Sequence, residues 1–124
     1  MVESALVYSL TLMLVLGTIV VGLGIFRYQQ VASLAREGSR WAAVHGPKYE
    51  TEQNQPRIAS QDVRNSILPK AMILNTSPTV LQCTLDPTQW NSGTASVKVT
   101  YVWTPEAFFA PITFSSTSVT PILY

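Results

Sequence analysis

The sequence predicts an α+β protein: a long N-terminal α-helix, apolar in its first half, with a small antiparallel β-sheet domain packed on its second half. Three observations carry this reading. From Ser4 to Phe26 no residue is charged, and that run is long enough to cross the roughly 30 Å hydrocarbon core of a bilayer as a helix. Beyond Arg27 the apolar pattern narrows without stopping, so that Val31, Leu34, Ala35, Gly38, Trp41 and Ala42 recur at the i, i+3, i+4, i+7 spacing of an amphipathic helix. From Thr79 the period changes to two, and alternating segments follow to the end of the chain. The predicted division is a helix over 1–45, with its span at 4–26 and its amphipathic part at 27–45, and a small β-rich unit over 46–124 with one short helix near 56–68.

At about 1.5 Å per residue the helix is roughly 60 Å long, more than a span or a small domain requires. Glu3 and Arg27 bracket the apolar run, inside which Tyr8, Ser9, Thr11 and Thr18 are polar but uncharged. Gly17, Gly22 and Gly24 leave grooves on the helix, and small residues let apolar helices approach closely. Gly17 and Gly24, seven apart, share a face on which a neighbouring helix could lie. Each glycine costs the helix about 1 kcal/mol relative to alanine, so this is also where it would most easily kink or unwind. By spacing alone Glu3 reads as a solvated carboxylate favoured by the helix N-terminus. Its sharper alternative is a pair with a neighbouring subunit's terminal amine, since a buried charge needs such a partner. Arg36 and Arg40 lie one turn apart, with Glu37 in i, i+3 reach of Arg40. They form a solvated face or, alternatively, bridges between subunits. Small Ala35 and Gly38 beside Trp41 predict close packing on the C-terminal part, which makes Val31, Leu34, Ala35, Gly38 and Trp41 the helix-to-domain contact.

His45-Gly46-Pro47 is expected to end the helix, with glycine in the left-handed position and proline unable to continue the ladder. Lys48 to Gln55 is polar and aperiodic and reads as an exposed loop. Pro56 is a possible first position of the second helix, with Ile58, Ala59, Val63 and Ile67 near one face and Pro69 ending it. Leu81, Cys83 and Leu85 alternate with Val80, Gln82 and Thr84 until Asp86-Pro87 breaks the strand. Asn91-Ser92-Gly93 turns into the clearest strand, Thr94 to Trp103, with Val97, Val99, Tyr101 and Trp103 on one face. A third run, Ile112 to Thr120, is rich in Thr and Ser around Phe114 and Val119. Three antiparallel strands over a helix make a plausible sheet-on-helix unit. Glu106 to Pro111 reads as an apolar loop whose aromatics are core or a contact site, and Asn75-Thr76-Ser77 is a formal glycosylation sequon.

Composition excludes more than it selects. A formal net charge of +1 without a basic patch gives nucleic acid nothing to bind. The single cysteine, Cys83, forbids an intramolecular disulfide and reads as a small buried hydrophobe. His45 is the one histidine, and without a second ligand no metal site is expected. There is no phosphate-binding glycine loop, paired His and Cys or metal spacing, so no catalytic, cofactor or metal residues are assigned and an enzyme is not expected. The opening Met1-Val2-Glu3 lacks the basic n-region of a secretory signal, so the segment is expected to stay in the working protein. Arg27, Arg36, Arg40 and Lys48 all follow the span and nothing basic precedes it, which taken alone leaves the C-terminal part in the cytoplasm.

Met1-Val2-Glu3-Ser4-Ala5-Leu6-Val7, the apolar run, and Val31-Ala32-Ser33-Leu34-Ala35-Arg36-Glu37-Gly38-Ser39-Arg40-Trp41-Ala42-Ala43-Val44 together resemble TadE-like pseudopilins, the type IV pilin-like components of tight-adherence pilus systems. The resemblance covers about Met1 to Val44. It implies a pilin-like fold, a precursor cut by a prepilin peptidase, passage through the pilus assembly machinery, and a C-terminal part facing outward. It also carries the subunit-docking role of the family's N-terminal glutamate onto Glu3. Only Met1 and Val2 precede Glu3, without a basic leader. The sequence is therefore expected to be a processed or trimmed form, or one whose start was assigned late, and a basic leader would remove the conflict over orientation.

Two functions follow as expectations. In the first, the chain is a structural subunit that self-associates through its apolar helix into a helical extracellular filament, a homopolymeric fimbrium or pilus. In the second it is a minor pseudopilin anchored in the inner membrane that assists a pilus made of another subunit, the role usually given to TadE-like proteins. In both the chain resides in the membrane before assembly, and adhesion is the family's association. A single-span receptor, the third class, would need a signalling portion across the membrane that two residues cannot supply.

Overall fold

The computed structural model describes residues 1–71, 74, 77–86, 92–105 and 110–123. Helix α1 runs Val2–Val44 without interruption, 43 residues, or about 65 Å at 1.5 Å per residue. The three glycines do not break it. Three of its hydroxyls bond back to the helix itself: Ser9 Oγ donates to Leu6 O, Thr11 Oγ1 to Val7 O, and Thr18 Oγ1 to Leu14 O and Val15 O. Its buried positions are Gly24, Val31, Leu34, Ala35, Gly38, Ser39, Ala42 and Ala43. Gly24, Val31 and Gly38 stand seven apart on a single stripe, and that stripe is the face on which the rest of the chain packs.

The corner after α1 differs from the sequence expectation. Gly46 is not left-handed: at φ −79° and ψ −164° it is the extended N-cap of a second helix, α2, Pro47–Gln53. Proline's fixed φ and missing N–H suit a first helical turn, so Pro47 starts a helix where it was expected only to stop one. The segment read as a loop from Lys48 is therefore mostly helical. It buries no residue, which is why no apolar period betrays it. The left-handed cap comes from Asn54, φ 50°. Helix α3 then spans Ser60–Ile67, four residues later than Pro56. Its start is fixed by the Asp62 carboxylate, which accepts the Ala59 N–H at 2.8 Å, and a 3-10 turn, Leu68–Lys70, follows it.

Strands β1 (Leu81–Leu85), β2 (Thr94–Trp103) and β3 (Ile112–Pro121) form one antiparallel sheet in the order β1-β2-β3. The register places Leu81 against Tyr101 and Leu85 against Val97, and on the other side Val97 against Ser118 and Tyr101 against Phe114. The central strand buries Ala95, Val97, Val99, Tyr101 and Trp103 on α1 together with Leu81, Val63 and Ile67. A Cβ on Gly38 would stand 3.2 Å from both Val63 Cγ1 and Val97 Cγ1. The helix, α3 and β2 meet there, at a spot that only a glycine leaves free. Arg64, buried on α3, donates from Nε to Leu81 O at 3.3 Å, and Leu85 N–H donates to Ser60 Oγ at 3.0 Å, which ties α3 to β1.

The third strand packs by hydroxyls. Phe114, Ser116, Ser118 and Thr120 alternate on its half-buried face while Val119, 57 % exposed, points away. The fully buried Ser39 hydroxyl shares a hydrogen bond with Ser118 Oγ, accepts one from Thr120 Oγ1, both at 2.9 Å, and lies 2.9 Å from Arg36 O. Small polar side chains let β3 lie close to the helix, and the hydroxyls of Ser39, Ser118 and Thr120 find their partners in one another. After β3, Leu123 N–H donates to Ala43 O at 3.1 Å and fastens the C-terminal segment to the end of α1. The Glu106 to Phe109 part of the expected apolar loop, Asn75 and Thr76 of the sequon, Pro87 after β1 and Asn91 before β2 lie outside the described residues.

Candidate functional site

Two regions of α1 meet different surroundings. Its second half is covered by the sheet and α3. Its first half stands clear of them, with Leu6 66 %, Met13 75 % and Ile19 55 % exposed, and no residue before Gly24 is buried. Among the described residues, α1 is the one helix long and apolar enough to cross a membrane. A continuous apolar surface of this size is not stable against water and requires a cover of lipid or of other apolar helices. Glu3 sits exposed in the first turn, where a carboxylate is favoured by the helix N-terminus.

The three glycines divide. At Gly17 and Gly22 a Cβ would meet nothing within 4 Å, so nothing in the described chain uses those grooves. At Gly24 a Cβ would stand 2.8 Å from Trp103 Cζ3. This glycine is occupied by the chain's own sheet. Val31, Leu34, Ala35 and Gly38 are all buried against the domain, and Trp41 is half-buried at its edge.

Trp41 has a further role that sequence reasoning missed. Its ring stacks on His45, centroids 4.1 Å apart and planes 21° off parallel, and His45 meets Tyr49 edge-on at 4.5 Å. His45 Nδ1 lies 2.8 Å from Trp41 O. The lone histidine is thus part of the corner between α1 and α2, for which the i, i+4 spacing of Trp41, His45 and Tyr49 was the available signal. Glu37 pairs across to Lys70 on the 3-10 turn instead of with Arg40 along the helix. That hydrogen bond holds its carboxyl below the usual value of 4.5. With the side chains 55 % and 38 % exposed, such a pair contributes at most about 1 kcal/mol. Arg36 and Arg40 are exposed. Burial pushes the half-buried Cys83 thiol up to about 11, against an opposing pull from Arg64. It therefore stays protonated and unreactive at neutral pH.

Where the bare and covered halves meet, an apolar cleft of about 350 Å³ opens between α1 and the end of the sheet. Val20, Val21, Gly24, Ile25 and Tyr28 line one side, and Trp103, Pro105, Ile112 and Phe114 the other. Trp103 stacks on Phe114 at 5.8 Å, and Tyr28 meets Phe114 edge-on at 6.0 Å. Arg27, the first cation after the apolar run, is folded onto this end of the sheet: its guanidinium carbon lies 5.6 Å from the Trp103 ring centroid, and Nη1 donates to Tyr101 Oη at 3.3 Å.

A long helix with a bare apolar N-terminal half and a small sheet seated on its second half is a pilin-like architecture. Residues 1–40 match the family model described as TadE-like protein, so the N-terminal part of the chain is similar to the family whose motifs the sequence resembles. That match takes in the whole bare half and most of the stripe that carries the sheet. No curated protein and no solved structure matches the chain.

Proposed function

We propose that this chain is a structural, pilin-like subunit whose bare helical half, held in a membrane before assembly, packs against the same half of neighbouring copies to form an extracellular filament of the type IV or Tad-like class. The observation that carries the proposal is the division of α1. A surface with no buried residue from Val2 to Leu23 sits on a helix whose buried positions, from Gly24 to Ala43, are covered by its own domain. In the filament, copies of that surface would replace lipid, with the open grooves at Gly17 and Gly22 admitting the neighbours' backbones. Glu3 is given the docking role at the end of that bundle, and the sheet tiles the outside. The TadE-like match supports a structural rather than a catalytic protein, served by a prepilin peptidase and a pilus assembly machinery.

The same match favours a second reading, a membrane-anchored minor pseudopilin that assists a pilus built from another subunit. Electron microscopy of material sheared from cells, labelled with an antibody against the C-terminal domain, separates the two. Label along whole filaments makes this chain the major subunit. Label confined to filament tips or to the membrane fraction makes it the minor one.

A further inference from the structure

We propose that the end of the sheet is a seat for the hydrocarbon edge of the bilayer, so that in the membrane-held form lipid acyl chains fill the cleft between α1 and Trp103, Ile112 and Phe114. This rests on the reading that the apolar half of α1 spans a membrane.

A hydrocarbon core of roughly 30 Å takes about 20 residues of helix, and counted from Ser4 that length runs out near Leu23. The wall of the cleft on α1 runs from Val20 to Tyr28 and so straddles that edge. The sheet reaches down to the same level, because the Trp103 ring covers Gly24. Its last apolar side chains stand where acyl chains end and headgroups begin.

Val21 is 60 %, Ile25 56 % and Ile112 41 % exposed. Together they prolong the apolar surface of the span around the corner and up the end of the sheet. The cleft faces the lipid that already covers the span, and its far wall is made of bulky Ile112 and Phe114. Close helix–helix contact asks for small residues instead, whereas acyl chains fill an irregular apolar volume without needing a matched shape.

Aromatic residues gather at membrane–water interfaces because one end is apolar and the other wet. Tyr28, 47 % exposed, stands at this level, and Trp103 lines the same cleft with 6 % of its surface open. Arg27 is drawn off the helix onto the Trp103 face and the Tyr101 hydroxyl, which carries its charge toward the domain while its stem stays among apolar groups.

The test uses the full chain in phosphatidylcholine vesicles. Trp41→Phe and Trp90→Phe leave Trp103 as sole fluorophore. A companion chain with Trp41, Trp90 and Trp103 all changed to Phe carries Leu12→Trp inside the span. Lipid brominated near the ester end of the acyl chain is expected to quench Trp103 at least twofold and more than lipid brominated near the methyl end, with the order reversed for Leu12→Trp. A nitroxide on Ile112→Cys, with Cys83→Ser, is expected to report the same shallow depth by its oxygen accessibility, and does so without altering any tryptophan. Quenching of Leu12→Trp without quenching of Trp103 overturns the seat and leaves the span standing. Quenching of neither overturns both. An unquenched Trp103 with Ile112→Cys cross-linking between copies gives the cleft to a second copy of the chain and also overturns the proposal.

Discussion

Replacing Gly24 with alanine sets two known effects against each other at one atom. In an open helix the change gains about 1 kcal/mol, and at Gly17, where a Cβ meets nothing within 4 Å, that gain is expected in full. At Gly24 the new Cβ would lie 2.8 Å from Trp103 Cζ3. The ring is 6 % exposed, stacked on Phe114 and 5.6 Å from the Arg27 guanidinium carbon, so it gives way only by disturbing both contacts. Overpacking of this kind costs about 1–3 kcal/mol. Gly24→Ala is therefore expected to change stability by between about zero and 2 kcal/mol in the unfavourable direction, and to fall some 1–3 kcal/mol below Gly17→Ala. For a small domain 1 kcal/mol shifts the midpoint by about 4–8 °C. Thermal unfolding of the sheet in detergent, followed by near-ultraviolet circular dichroism, reads the difference directly. Combining Gly24→Ala with Trp103→Leu should recover part of the loss, because the clashing ring is gone. A Gly24→Ala protein as stable as Gly17→Ala would refute the assignment of Gly24 to the chain's own sheet and return it to the set of open grooves.

Four further outcomes follow from named contacts. Glu3→Ala is expected to lower filament yield while leaving membrane insertion intact, judged by sheared-filament mass against the membrane-pellet fraction; an unchanged yield removes the docking role. Ser39→Ala strips Ser118 and Thr120 of their shared partner and should cost about 1–3 kcal/mol, and an unaltered denaturation midpoint would show that β3 is held by other contacts. Because the Glu37 carboxyl is held below 4.5 by Lys70, the stability that it adds is present above that value and fades as pH falls through the lower folded-state value. Lys70→Met should flatten this acid limb, and an identical limb in the variant would contradict the pairing. Raising the Cys83 thiol from 9.0 to about 11 leaves about 100-fold less thiolate at pH 8, so a maleimide should label the folded chain far more slowly than the denatured one; equal rates would mean that the thiol is not shielded.

Much of this architecture was legible because burial imposes a period. Val31, Leu34, Ala35 and Gly38 announce their stripe by spacing, and Val97, Val99, Tyr101 and Trp103 announce theirs by alternation; the sheet and helix bury those residues. Where nothing is buried the period vanishes, and α2 was invisible for that reason. Its markers were local: a proline suited to a first turn and an asparagine able to turn left-handed. The packing face of β3 was hidden differently, because its inward positions after Phe114 are Ser116, Ser118 and Thr120, which read as solvent-facing until Ser39 is placed opposite them. At the candidate site, spacing names the small residues but not what each of them faces. Nothing in the spacing of Gly17, Gly22 and Gly24 says that one is covered by a tryptophan far along the chain while two stay open. The cleft and the Arg27 contact share that dependence on long-range register, which fixes which β2 residue meets which turn of the helix.

The most direct test of the account is cross-linking along the bare half of α1. Cysteine placed at Gly17 in a Cys83→Ser chain, oxidised in sheared filaments and in isolated membranes, is predicted to give disulfide-linked pairs of this chain in the filament fraction and few in dilute membranes. Cysteine at Val119, exposed on the outer face of β3, serves as the comparison site. Filaments that contain the chain but show no Gly17→Cys pairs, while the same thiol stays open to a lipid-soluble maleimide, would contradict assembly through the apolar helix.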